Sequence, residues 1–162
     1  MTQPPIAIAL YQPDIPQNTG TILRLGACLG LTVHIIEPTG FALSDTNLKR
    51  AGMDYLERAT MVRHVSWEKF DAWRTQEARR LILLTTKAQT SYLDTAYSPN
   101  DILLFGRESS GVPEAVHQTV DQRLTIPMVD GARSINLACS VAMVAGEAIR
   151  QVFGEYPTNA AI

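Results

Sequence analysis

Residues 102–116 read ILLFGRESSGVPEAV, and residues 124–150 read LTIPMVDGARSINLACSVAMVAGEAIR. Two short apolar runs, Ile102 to Phe105 and Leu124 to Pro127, have the length and branching of buried strands. Each passes straight into a loop of glycine, serine and charge, and a long helix rich in small residues follows the second loop. In an open α/β sheet, ligands settle beyond the carboxyl ends of the strands. Two such loops, close together in sequence, nominate one pocket.

The rest of the chain supports that sheet. Ile6 to Tyr11 (IAIALY) predicts a buried first strand. A helix follows, with Pro16 suited to its first turn and Gly30 to its stop. Ile22, Leu25 and Leu29 share one face of that helix, and Arg24 points elsewhere. Thr32 to Glu37 predicts a second strand, Asp45 to Ala51 a short helix, and Val62 to Val65 a weak strand. Trp67, Phe70 and Trp73 recur at helical spacing over 67–79, the pattern of a core-facing stripe rather than a base-stacking platform. Leu81 to Thr86 (LILLTT) predicts a central strand. Strands alternating with helices imply a mainly parallel sheet covered on both faces. The 162 residues read as one domain, 1–162, with no internal repeat or linker and with a fraying tail at 154–162.

Composition narrows the function. Hydrophobic content of 46% and charged content of 19% are ordinary for a soluble globular protein, and no apolar run reaches membrane-spanning length. The start, MTQPPIAIALYQP, lacks the basic region of a secretory signal. Cys28 and Cys139 sit in helical patterns without ligand spacing and are expected to be buried thiols of a reducing compartment, which makes the cytoplasm the expected address. A net charge of −2 argues against a surface that grips nucleic acid everywhere, and leaves room for a local basic face. Arginine supplies 11 of the 14 cations, the residue better suited to forked phosphate contacts.

The common nucleotide signatures are missing: no G-x-G-x-x-G follows the first strand, and no G-x-x-x-x-G-K-[ST] occurs. Ser109-Ser110-Gly111 is not a G-x-S-x-G elbow, and His34, His64 and His117 are too scattered to predict a metal site. Gly106, directly after a strand, lets a ligand approach the backbone, and Glu108 puts a carboxylate at the pocket's edge. A plain strand-to-helix turn capped by Ser109 or Ser110 accounts for this loop equally well. In the second loop, Ser134 is placed to cap the small-residue helix and Asn136 to offer an amide in its first turn. Near the N-terminus, Asn18 and Arg24 are expected to project from roughly one side of their helix.

Three segments in this order resemble the three motifs of the SPOUT superfamily of RNA methyltransferases, in its SpoU class of ribose 2′-O-methyltransferases. Asn18-Thr19-Gly20 with Arg24 is similar to the first motif, Phe105 to Gly111 to the second, and Ile126-Pro127-Met128 with Arg133 to Leu137 to the third. Arg50 to Tyr55 and Leu84 to Lys87 further resemble the minimal subgroup that acts on the wobble nucleotide of tRNA. The chain departs from the pattern at Arg107, where close relatives often carry proline, at Ala138 to Ser140, and at Gly146, where some wobble enzymes carry a tRNA-binding tyrosine.

The resemblance implies an α/β fold with a C-terminal deep trefoil knot, S-adenosylmethionine as methyl donor, S-adenosylhomocysteine as product, no metal, a tRNA substrate and a homodimer. It places Leu84, Gly106, Glu108, Gly111, Ile126, Met128, Ser134 and Leu137 around the cofactor. It assigns the chemistry to Arg24, supported by Asn18, Glu108, Ser134 and Asn136. Lys49, Arg50, Arg58, Arg63 and Lys87 become candidate tRNA contacts. Methylation of ribosomal RNA or another tRNA position, and a silent RNA-binding module on the same fold, are the alternatives.

Overall fold

The computed structural model of the chain describes residues 6–50 and 60–154. Six strands form one sheet: β1 (Ala7–Tyr11), β2 (Thr32–Ile36), β3 (Met61–His64), β4 (Arg80–Leu84), β5 (Asp101–Phe105) and β6 (Gln122–Leu124). Their spatial order is β3-β2-β1-β5-β4-β6, and every pairing is parallel. Parallel strands need crossovers, supplied here by α1 (Pro16–Leu29), α2 (Asp45–Arg50), α3 (Trp67–Gln76) and α4 (Glu114–Thr119). The last element is α5 (Leu137–Phe153).

Alternation along each strand divides the core into two layers. Ile8 and Leu10 of β1, Val33 and Ile35 of β2, and Leu103 and Phe105 of β5 pack with Ile22 and Leu23 of α1 and Val141, Val144 and Ala148 of α5. Ala7, Ala9 and Tyr11 face the other way, against Phe70 of α3 and Val116 of α4, with Leu81, Leu83, Ile102 and Leu104. The expected aromatic stripe is therefore core: Phe70 is fully buried, with Trp67 and Trp73 packed beside it.

Local chemistry sets the helix ends. Pro16 opens α1, and Gly30 closes it at φ 70°, its N–H returning to the Gly26 carbonyl. Ser66 caps α3 by accepting the Lys69 N–H at 3.1 Å. This helix stops at Gln76 rather than Arg79, because Ala78 takes a φ of 53° as the chain turns into β4.

Three further expectations are corrected. The last strand is Gln122–Leu124, not 124–127: Leu84↔Leu124 is the final rung against β4, and beyond it Thr125 keeps only a bridge to Ser91. Cys28 and Cys139 are exposed, each lying two residues, or about 200° of helix, from a buried neighbour, Gly26 and Val141. No serine caps α4, whose N-cap is Pro113 without a side-chain bond. The expected fraying at 154–162 falls outside the described residues from 155 onward.

Candidate active site at the switch point of the sheet

Strand order runs 3-2-1 on one side and 5-4-6 on the other, so the winding reverses between β1 and β5. A crevice opens where the loops leaving two such strands diverge. It holds a cavity of about 380 Å³, within the range of small-molecule sites. The loop after β5 gives Gly106, Arg107, Glu108 and Gly111; the segment after β6 gives Ile126, Met128, Ser134, Asn136 and Leu137; Ile15 and Asn18 come from the start of α1, and Leu84 from β4.

A two-rung bridge holds the β5 loop. The N–H of Arg107 donates to the Gly111 carbonyl at 3.0 Å, and the N–H of Gly111 returns to Arg107 at 2.9 Å. A methyl group on Gly106 would lie 2.7 Å from two backbone atoms of Gly111, so this turn closes only with glycine there. Gly111, at φ 68°, uses the same freedom.

Glu108 is the hub. Its Oε1 accepts the backbone N–H of Asp14 at 3.0 Å, and its Oε2 accepts from Asn18 Nδ2 at 3.2 Å. Asn18 Oδ1 in turn accepts from Asn136 Nδ2 at 3.1 Å. The Asn136 Oδ1 caps α5 by accepting the Cys139 N–H at 3.2 Å. Thus the cap of the last helix is Asn136 and not Ser134, which sits exposed at the rim. Beneath the hub, Asp14 accepts a hydrogen bond from the Ser109 hydroxyl and lies 3.6 Å from the Arg107 guanidinium. Burial pushes the Asp14 carboxyl up, but its hydrogen bonds with Ser109 and Glu108 and the Arg107 charge outweigh this and hold it below its ordinary value. Gln12, two residues earlier, takes a φ of 43°, a strained geometry for a side chain of its kind.

All eight residues expected around a cofactor line this cavity, as do Asn18 and Asn136. Arg24 does not. Six residues turn a helix by about 600°, which leaves Asn18 and Arg24 roughly 120° apart rather than on one side. Asn18 is buried toward the cavity, and Arg24 is exposed on α1. Among the candidate RNA contacts, Lys49 and Lys87 are exposed. Arg63 is exposed and forks onto Glu37 at 2.6 and 3.2 Å. Arg58 and the side chain of Arg50 lie outside the described residues. Sequence reading missed Asp14; its place three residues beyond β1, before a helix-opening proline, was the available signal. Among the described residues, no three His, Cys, Asp or Glu side chains gather as metal ligands.

Fold and site together define an all-parallel α/β protein with a small-molecule pocket at its switch point, walled by the segment that leads into the C-terminal helix. The chain belongs to the SpoU rRNA Methylase family, whose model matches residues 5–146. It is 58% identical over 145 residues to a tRNA (cytidine(34)-2′-O)-methyltransferase of Beijerinckia indica subsp. indica, covering 90% of this chain and 91% of that one. A solved structure described as giving structural insights into the 2-OH methylation of C/U34 on tRNA superposes with a TM-score of 0.83 at 40% identity, covering 93% of this chain and 97% of its own. The AdoMet-bound rRNA methyltransferase of Sinorhizobium meliloti superposes with a TM-score of 0.81 at 25% identity, over 92% of this chain and 57% of that one.

Proposed function

We propose that this chain transfers a methyl group from S-adenosylmethionine to the ribose 2′-hydroxyl of the wobble nucleotide, cytidine or uridine 34, of tRNA. The observation that carries the reading is the bonded chain Asn136–Asn18–Glu108, which draws all three motif segments onto one cavity. High identity over nearly the whole length to a relative bearing that activity in its name supports the choice of substrate.

The cavity fits the donor. Leu84, Ile126, Met128 and Leu137 give apolar walls for a purine, while the Gly106 turn exposes backbone at the floor. S-adenosylmethionine, when bound, supplies a methyl group on a positively charged sulfur and leaves as S-adenosylhomocysteine. The protein's part is placement: fixing a hydroxyl in line with the methyl is worth ~7–11 kcal/mol of barrier. Asn18, Glu108 and Asn136 form the bonded frame, Ser134 supports it from the rim, and Arg24 meets the ribose. A guanidinium with a pKa above ~12 does not accept a proton at neutral pH, so Arg24 stabilises the developing oxyanion and clamps a neighbouring phosphate. The hydroxyl proton passes to water or to a substrate phosphate.

Because Arg24 lies off this pocket's lining, its route to the ribose is through a second copy. In the homodimer we propose, α5 pairs across a two-fold axis, and one subunit's Arg24 serves the other's pocket. The exposed Met143 and Phe153 on α5 favour that pairing. We also read the return of the chain from β6, at one sheet edge, to Asn18 beside β1 as the path of a deep trefoil knot within one methyltransferase domain. No described helix is long and apolar enough to cross a membrane, and we place the work in the cytoplasm, beside its tRNA. The deciding experiment supplies labelled donor and total bacterial RNA, ribosomal and transfer, and maps the product. Label at the ribose of nucleotide 34 is expected; label confined to ribosomal RNA or to another tRNA position would overturn the reading.

A further inference from the structure

Most arginine–carboxylate pairs at this protein's strand ends are tight. Arg80 forks onto Asp101 at 2.7 and 2.8 Å, and Arg63 reaches Glu37 at 2.6 Å. Such lengths are those of strong charge-assisted bonds. Arg107 is different. Its Nη2 stays 3.6 Å from Asp14, its Nη1 reaches Gln12 at 3.5 Å, and its Nε is buried with no partner. The Asp14 oxygen nearest the guanidinium already accepts from the Ser109 hydroxyl, and its other oxygen is buried without a partner, so neither closes onto the arginine.

The surroundings leave this guanidinium both placed and underused. The backbone of Arg107 is pinned by the two-rung bridge to Gly111, so any reorientation belongs to the side chain alone. That side chain is 30% exposed and its residue lines the cavity. Among the described residues, Arg133 is the one other cation on the lining of this pocket, in a chain of net charge −2. A polyanion arriving here must find local cations, and a planar five-donor fork matches a phosphate better than it matches a single distant carboxylate oxygen.

We propose that Arg107 binds a backbone phosphate of the RNA substrate, and that Asp14 holds it loosely in reserve until the RNA arrives. This rests on the RNA methyltransferase reading above. The Ser109 hydroxyl stays bonded to the Asp14 oxygen that faced the guanidinium, so that oxygen keeps a donor when the arginine leaves.

Binding of fluorescent tRNA to the full-length protein, with S-adenosylhomocysteine present and salt varied between about 50 and 200 mM, reads this contact directly. Each phosphate contact adds about 0.7 to 0.9 to the salt slope, so Arg107→Gln is expected to bind tRNA roughly five- to eightfold more weakly at ~0.1 M salt, with a slope shallower by that amount. Arg107→Lys should keep most of the slope. Asp14→Asn should bind tRNA at least as tightly as the unaltered chain, because it releases the arginine. Calorimetric affinity for S-adenosylhomocysteine should be the same in all of them. An unchanged slope in Arg107→Gln, or equal losses in Arg107→Gln and Asp14→Asn, would reduce the pair to a structural staple and overturn the proposal. Loss of cofactor affinity in Arg107→Gln would assign the guanidinium to the donor's carboxylate and overturn it too. An unaltered chain that neither binds nor methylates tRNA brings down the functional reading itself. One that does both while Arg107→Gln keeps its salt slope brings down this proposal alone.

Discussion

Asn136 bonds the side chain of Asn18 at 3.1 Å across 118 positions of chain, while its other side-chain atom caps the helix that follows it. One residue thus sets both the start of α5 and the orientation of the amide that reaches Glu108. Replacing Asn136 by alanine should cost about 1 kcal/mol of stability through the lost cap. It should also lower kcat/KM on tRNA by about a hundredfold, the scale of a small misplacement in a reacting site. Asn18→Ala should do the same to the rate with less effect on melting. Since the two share one bond, the double variant should lose less than the sum, and additive losses in a double-mutant cycle would show that they act separately.

Gly106→Ala tests the floor of the pocket. The new methyl group meets Gly111 backbone at 2.7 Å, and neither chain segment can yield without breaking the bridge at Arg107. A loss of about 1–3 kcal/mol in thermal unfolding is expected, in the range of overpacking. Calorimetry should find affinity for S-adenosylmethionine reduced by more than stability alone explains.

His34 and His64 lie 2.9 Å apart between ring nitrogens, beneath Phe70 and Trp73. Burial, then the charges of His64 and Arg79, pushes His34 down to about 3, and burial lowers His64. The folded pair stays neutral where the unfolded chain takes up protons near pH 6.5. The His34 contribution is therefore fully present above that pH and falls as pH drops toward about 3, by up to about 1.4 kcal/mol per pH unit, and His64 adds to the loss in the same direction. Denaturant titrations at falling pH should trace this loss. His34→Phe should flatten it.

Met143 is 42% exposed on α5 and Phe153 43%, both on the helix proposed to pair two copies. Met143→Glu should drive the protein to monomers in sedimentation and abolish methyl transfer, while leaving the far-ultraviolet spectrum unchanged.

Complementation separates the two ways of using Arg24. Arg24→Lys is expected to lose most of its kcat with donor affinity intact. Mixed with Gly106→Ala, which keeps its arginine but not its pocket, it should recover activity as hybrid dimers form. Two inactive variants that stay inactive together would confine Arg24 to its own subunit.

Much of this was legible in the residues. Short, nearly continuous apolar runs announced β1, β2, β4 and β5, and the glycine and proline at the ends of α1 held their expected places. What sequence could not supply was register and rotation. The strand at 124 stops where β4 stops, a fact held in the neighbour and not in the run itself. Asn18 and Arg24 share a motif yet not a helix face. Asp14 offered only its place between β1 and Pro16: its role comes from Glu108, 94 positions later, meeting its backbone.

That long reach between segments has a consequence for time. Asn18 finds its partner only when residue 136 has been made, so a chain still growing on the ribosome owns every wall of the sheet and no seat for a methyl donor. The Asn136–Asn18–Glu108 frame can close only after the residues of all six strands have emerged.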